Sequence, residues 1–121
     1  MRTLDQVMNT GLVTVSPATT VAEAATVMST RHVGSALVMD GDLLIGILTE
    51  RDIVRSLGSD FDAAAGLVKD WMTPDPTTLL PTSTATEALD LMLEAGFRHL
   101  PVVEGGRVLG MVSIRDLTPR A

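Results

Sequence analysis

Cysteine is absent from this chain of 121 residues, which excludes disulfide bonds and zinc sites with thiolate ligands. Two histidines are too few to form a dedicated metal site by themselves. The aromatic residues Phe61, Trp71 and Phe97 give no row of rings on which single-stranded bases could stack. No apolar run approaches the roughly 20 residues that span a bilayer, and the N-terminus lacks the apolar run of a signal peptide. We therefore expect a cytoplasmic protein with no membrane partner.

Positive charge is also scarce. Nine Lys and Arg residues stand against 15 Asp and Glu residues, which gives a formal net charge of −6 at pH 7. Nucleic-acid binding is disfavoured, because phosphate contacts need clustered Lys and Arg. A small anion could still bind where local geometry overrules the net charge. The hydrophobic share of 45% is that of a globular protein, and the length predicts one compact module whose halves would each be marginally stable alone.

An internal repeat is the most informative feature that is present. Residues 43–53 recur 64 positions later as residues 107–117, and the same shift aligns the halves without a gap, placing Gly46 on Gly110. A repeat of this kind indicates two copies of one supersecondary unit. We expect pseudo-twofold packing, in which each copy buries the apolar face of the other.

Each copy is predicted to fold as β-α-β-β-α, which makes the chain an α+β protein with small mixed sheets. Capping boxes at Thr20 and Thr84 predict the starts of two helices, and an acidic residue before Gly41 and Gly105 predicts two hairpins. Gly58 is expected to end the closing helix of the first copy. The predicted lead-in helices are 4–8 and 67–72, the extended segments 12–15 and 77–80, and the hairpin strands 35–39, 43–48, 99–103 and 107–112. The predicted domains are 1–58 and 67–121, with a linker at 59–66.

A hydroxyl residue and an aspartate lie at the end of the last strand in each copy, as Thr49 with Asp52 and Ser113 with Asp116. One interpretation is a further capping box, which serves only the helix that follows. The other is a ligand site, because an ionised carboxylate accepts hydrogen bonds from vicinal hydroxyls. Free amides at the helix start, with an arginine beside them in each copy, also suit an anion. The two interpretations are compatible.

Arg98 and His99 directly precede an apolar strand of the second copy. They are interpreted either as a solvated arginine with a hydrogen-bonded histidine or as a clamp for a phosphate group. The matching residues Gly34 and Ser35 carry no charge, so any two sites should be unequal. No catalytic triad, metal-ligand spacing or glycine-rich phosphate loop is visible, which disfavours an enzyme.

These segments together resemble the paired CBS domains, also called the Bateman module. The resemblance is carried by residues 46–52, 110–116 and 96–103, and it extends over nearly the whole chain. It implies a stand-alone regulatory module that binds AMP, ADP, ATP, S-adenosylmethionine or NAD in the cleft between the repeats and signals by a conformational shift. It further implies a homodimer acting on an unknown regulated protein. No cofactor would be required, the adenine nucleotide being a regulatory ligand.

The same resemblance implies two nucleotide sites, in which the aspartate holds the ribose hydroxyls and basic residues before the second strand hold phosphate. Site A would combine Thr49, Arg51, Asp52, Thr77, Thr78, Arg98, His99 and Pro101. Site B would combine Ser113, Arg115, Asp116, Val13, Thr14, Gly34, Ser35 and Ala36. The alternative is a purely structural homodimerisation module without a ligand, in which the capping boxes serve only the helix ends.

Overall fold

The computed structural model describes residues 2–59, 62 and 65–117, so much of the predicted linker 59–66 and the end of the second predicted domain lie outside the described residues. The chain divides into two compact units. The central unit is Val13–Pro76, and the terminal unit combines Met1–Leu12 with Thr77–Ala121. These units differ from the predicted domains 1–58 and 67–121, because each unit contains the lead-in segment of the other sequence repeat.

The central unit contains a mixed sheet in the order β1-β2-β3-β4. Strand β1 is parallel to β2, whereas the β2–β3 hairpin and the β3–β4 pair are antiparallel. The predicted hairpin and the small mixed sheet are therefore confirmed. The strands are β1 (Thr14–Val15), β2 (Ser35–Asp40), β3 (Leu43–Thr49) and β4 (Thr73–Pro74).

The helices of the central unit begin and end where the cap residues indicate. Helix α2 (Val21–Arg31) starts with the predicted capping box, in which Thr20 Oγ1 accepts from Glu23 N at 3.1 Å. Helix α3 (Glu50–Leu57) ends at Gly58, whose amide donates to Val54 O at 3.0 Å. The predicted lead-in helix 67–72 is instead one short 3₁₀ turn, Val68–Asp70.

The terminal unit contains α1 (Leu4–Val7), α4 (Ala85–Ala95), the hairpin β5 (His99–Glu104) and β6 (Arg107–Ser113), and α5 (Ile114–Leu117). Thr84 Oγ1 accepts from Glu87 N at 3.1 Å, which confirms the N-cap half of the predicted capping box at the start of α4. The extended segment predicted at 77–80 pairs with the hairpin only through Leu79, whose amide donates to Pro101 O at 3.1 Å and whose carbonyl accepts from Val103 N at 2.8 Å.

The lead-in segments complete the two units by exchange between the sequence repeats. Asn9 of the first repeat pairs with Met111 of the second through reciprocal amide–carbonyl bonds of 2.9 and 3.0 Å. Strand β4 of the second repeat pairs with β3 of the first, opposite Gly46 and Ile47. The repeat pattern alone did not predict this exchange.

Each unit has its own apolar core. Leu4 from the lead-in segment is fully buried in the terminal unit, and Val68 is fully buried in the central unit. The terminal core also contains Ala85, Ala88, Met92, Leu100, Val102, Val112 and Leu117, and the central core Val13, Val15, Ala24, Met28, Ala36, Val38 and Leu48. In the part of the chain that the structure describes, no helix has the length and hydropathy needed to cross a membrane.

Candidate functional site

The polar corner of the central unit forms where β3 runs into α3. Thr49 is the N-cap residue, and its hydroxyl accepts from Asp52 N at 3.3 Å. Asp52 Oδ2 in turn accepts from Thr49 N at 2.9 Å and from Thr49 Oγ1 at 3.1 Å. The capping interpretation is therefore confirmed for this corner. Asp52 is only 7% exposed, which is unusual for an aspartate unless its carboxylate is well bonded.

The corner of the terminal unit repeats this geometry where β6 runs into α5. Asp116 Oδ2 accepts from Ser113 N at 2.8 Å and from Ser113 Oγ at 3.0 Å, and Asp116 N donates back to Ser113 Oγ at 3.4 Å. Unlike Asp52, Asp116 is exposed. The two carboxylates therefore make the same local hydrogen bonds but differ in burial: Asp116 is open to solvent, and Asp52 is buried.

Neighbouring segments of the central unit place further candidate residues at this corner. Ser35 lies opposite Thr49 in the β2–β3 register, and Glu50 N donates to Gly34 O at 3.0 Å. Val13 O accepts from Leu37 N at 2.9 Å, so the segment leading into β1 runs beside the start of β2. The central corner thus gathers Val13, Thr14, Gly34, Ser35, Ala36, Thr49, Arg51 and Asp52.

The terminal unit makes the equivalent arrangement with charged residues. His99 lies opposite Ser113 in the β5–β6 register, and Ile114 N donates to Arg98 O at 2.8 Å. Arg98 is exposed and His99 is half-buried. Leu79 pairs in parallel with Val102, so Thr77 and Thr78, which precede Leu79, lie toward the start of β5. The terminal corner thus gathers Thr77, Thr78, Arg98, His99, Pro101, Ser113, Arg115 and Asp116, of which Pro101 is fully buried.

The grouping within units differs from the combinations predicted as sites A and B. The prediction joined Asp52 to Arg98 and His99, whereas the hydrogen-bonded strands bring Arg98 and His99 to Ser113 within the terminal unit. Likewise Gly34 and Ser35 meet the Asp52 corner rather than the Asp116 corner inside one unit. The ligand-binding roles themselves stay predictions.

Arg55 also contacts the central corner, although no sequence motif pointed to it. One of its terminal nitrogens donates to Asp52 Oδ1 at 3.3 Å and to the carbonyl oxygen of Trp71 at 3.0 Å. Its guanidinium carbon lies 5.0 Å from the centroid of the Trp71 ring, a cation–π distance. An arginine three residues after an aspartate on one helix was the available signal. Among the described residues, no group of three or more acidic or histidine side chains is placed to hold a metal ion.

The sequence comparison decides the family. The model of the CBS domain matches residues 4–59 and again residues 68–119. The chain belongs to the CBS-domain family. Both repeats are CBS domains, so the predicted resemblance and the α+β fold class are confirmed.

Individual relatives agree with this CBS-pair assignment. The chain is 41% identical to an uncharacterised 17.7 kDa protein of Acidianus ambivalens over 94% of its own length and 70% of that protein. A protein with CBS domains from Burkholderia ambifaria superposes with a TM-score of 0.91 at 34% identity, covering 95% of this chain and 90% of that one. CBSX2 of Arabidopsis thaliana, solved in complex with AMP, superposes with a TM-score of 0.81 at 27% identity, covering 97% and 93%. The chain spans only 21–22% of the longer CBS domain-containing proteins of Arabidopsis thaliana that it matches.

Proposed function

We propose that this CBS pair is a non-enzymatic regulatory module that binds an adenosine-containing ligand at the terminal corner. The observation that carries the proposal is that the hydrogen-bonded β5–β6 hairpin joins Arg98 and His99 to Ser113 and Asp116. The two basic residues proposed to hold phosphate and the carboxylate proposed to hold hydroxyls then lie at one edge of one unit. AMP, ADP and ATP are the first candidates, with S-adenosylmethionine and NAD as the others.

The chemistry of the terminal corner suits a nucleoside phosphate. The exposed Asp116 carboxylate keeps acceptor capacity beyond the Ser113 bonds, and an ionised carboxylate is the natural partner of two vicinal ribose hydroxyls. Arg98 offers a planar donor fork for phosphate oxygens, and His99 offers a further donor. The AMP complex of CBSX2 supports this ligand class for a relative of the same fold.

The central corner is proposed as a second, less charged site. It has the same hydroxyl and carboxylate in Thr49 and Asp52, but Gly34 and Ser35 stand where the terminal unit has Arg98 and His99. A ligand there would make the hydrogen bonds to the ribose hydroxyls but would lack the phosphate contacts that Arg98 and His99 offer in the terminal corner. Occupation of either corner would signal by population shift, since a ligand favours the conformation to which it binds more tightly.

Thermal unfolding against AMP, ADP, ATP, S-adenosylmethionine, NAD and GMP tests the proposal. A ligand at 100 times its Kd stabilises the folded chain by about 2.7 kcal/mol, which raises the Tm by several degrees. We expect adenine ligands to raise the Tm, GMP to have no effect, and Asp116→Asn to remove most of the shift relative to its own ligand-free Tm. Asp90→Asn, on the exposed face of α4, is the matched control for the loss of one charge. Absence of a shift with every adenine ligand would contradict the proposal.

A second candidate function is a purely structural homodimerisation module. It is favoured by the fact that Thr49 and Asp52 satisfy each other's hydrogen bonds without a ligand.

A homodimer is proposed under either function, because α3 exposes 68% of Val54 and 61% of Leu57. Sedimentation equilibrium of the wild type and of Val54→Glu tests the dimer, which the charged side chain should dissociate. A dimer in solution combined with no response to any nucleotide would favour the structural function.

A further inference from the structure

In the central corner, the side chain of Arg55 contacts the carboxylate that is proposed to bind a ligand. One terminal nitrogen of Arg55 donates to Asp52 Oδ1, three residues earlier on the same face of α3, at 3.3 Å. The same nitrogen donates to Trp71 O at 3.0 Å. The guanidinium group also lies over the indole ring, with 5.0 Å between its carbon and the ring centroid. Two hydrogen bonds and one ring contact therefore fix Arg55 between the carboxylate of α3 and the lead-in segment. We call Arg55 and Trp71 the clamp.

The clamp uses the acceptor capacity that a ligand would need. A carboxylate has about four lone-pair positions. Two hydrogen bonds from Thr49 end on Asp52 Oδ2, and the bond from Arg55 ends on Oδ1. A ligand with vicinal hydroxyls must compete with a charged donor for Oδ1. The side chain of Asp52 is only 9% exposed, whereas that of Arg55 is 57% exposed and can move into solvent.

The sequence of the second repeat has other residue types at the positions that match the clamp. Under the shift of 64 residues, Arg55 corresponds to Pro119 and Trp71 to Val7. Proline has no side-chain donor, and valine has no ring to hold a guanidinium group. Asp116 makes the same capping bonds as Asp52 and is exposed. The clamp is thus a second difference between the two corners, besides Gly34 and Ser35 in place of Arg98 and His99.

We propose that the clamp closes the central corner against its ligand, so that nucleotide fills the terminal corner first and the central corner only when Arg55 leaves Asp52. The inference rests on the proposed function, and it makes the CBS pair a sensor with two separated affinities. Arg55 and Trp71 are positioning residues in this scheme: they control access to Asp52 and do not themselves hold the ligand.

Calorimetric titration with AMP measures the two corners separately. Asp116→Asn removes the terminal corner and leaves weak binding at the central one. Adding Arg55→Ala to Asp116→Asn should tighten that remaining binding about tenfold, the scale of one hydrogen bond to a charged group. Arg31→Ala, an exposed arginine in the last turn of α2, is the matched control and should change nothing. Trp71 is the only tryptophan, so its fluorescence should change in the step that fills the central corner.

The outcomes separate this inference from the proposed function. Suppose that the wild type binds AMP, that Asp116→Asn loses this binding, and that adding Arg55→Ala to Asp116→Asn does not tighten it. This result overturns the clamp and keeps the proposed function. Weaker binding in Arg55→Ala also overturns it, since Arg55 would then be a ligand contact. If neither the wild type nor any variant binds AMP, both the clamp and the proposed function are overturned. Arg55→Lys, which keeps the charge but not the planar fork, should tighten binding less than Arg55→Ala and serves if the alanine variant does not fold.

Discussion

Asp52 and Asp116 make equivalent hydrogen bonds to the hydroxyl residue three positions earlier, but their surroundings differ. Asp52 is 7% exposed and also accepts from Arg55, while Asp116 is exposed. Removing a carboxylate costs more when the amide that it leaves behind is shielded from water. The consequences of the two aspartates for stability should therefore be unequal.

We expect Asp52→Ala to lower the free energy of unfolding by about 1–3 kcal/mol, because Thr49 N loses its acceptor in a part-buried position. Asp116→Ala should cost about 1 kcal/mol or less, the usual loss of an exposed helix cap. Urea denaturation of both variants measures the difference. Equal losses would show that burial does not distinguish the two corners.

At the residue scale, the cap residues were predictable and Arg55 was not. Thr20, Thr49 and Thr84 were read from the sequence because a cap bonds only to residues a few positions away. The contact from Arg55 to Trp71 spans 16 positions and depends on the lead-in segment packing beside α3. A pattern of local spacing cannot show such a contact.

At the element scale, two glycines allow the lead-in segments to lie against the hairpins. A Cβ atom on Gly110 would lie 2.6 Å from Met8 Sδ and 3.1 Å from Asn9 O. A Cβ atom on Gly46 would meet Met72 Sδ in the same way and lie 3.0 Å from Thr73 O. The shift of 64 residues that aligns Gly46 with Gly110 also aligns Met8 with Met72. The structure supplies the reason, because each methionine packs on a glycine of the other sequence repeat.

We expect Gly46→Ala to destabilise the chain by about 1–3 kcal/mol, the usual cost of overpacking. The thioether of Met72 can move, but the carbonyl oxygen of Thr73 belongs to β4 and cannot move without loss of pairing. The double variant Gly46→Ala with Met72→Ala should recover part of the loss in chemical denaturation. Full recovery would mean that the strand backbone adapts freely.

Exchange of the lead-in segments also predicts where a mutation acts. Leu4 belongs to the first sequence repeat but is fully buried in the core of the terminal unit. Leu4→Ala should cost about 2–5 kcal/mol, and the loss of hydrogen-exchange protection should be greatest in β5 and β6 rather than in β2 and β3. Val68→Ala, which removes a core residue of the central unit, should give the opposite pattern. Protection lost first in β2 and β3 of Leu4→Ala would argue against the exchange.

Hairpins, helices and the α+β class followed from the sequence because each depends on neighbours along the chain. The exchange did not follow, since residues 4–8 have the same apolar pattern whichever core they enter. Within the extended segment predicted at 77–80, the described residues pair with the hairpin at Leu79 alone. Residues on either side of Leu79 are polar or exposed, so only the one half-buried leucine pairs with β5.

At the scale of the whole molecule, the net charge of −6 opposes the binding of an anionic ligand, while Arg98 favours it. Which effect dominates depends on distance and salt. The Debye length is about 30 Å at 10 mM salt and about 8 Å at 150 mM. At low salt a nucleotide is therefore repelled by acidic residues over the whole chain, and at physiological salt it responds chiefly to the charges beside it.

ATP carries more negative charge than AMP, so the repulsion at low salt should weaken ATP binding more. We expect the ratio of ATP affinity to AMP affinity to rise as salt increases from about 10 mM to about 150 mM. Calorimetric titration of both nucleotides in NaCl, without divalent cations, measures this ratio. Arg98→Ala should lower ATP affinity at every salt concentration, while the ratio should keep its upward slope. A ratio that falls with salt would mean that attraction by Arg98 and its neighbours outweighs the field of the whole chain even at low salt.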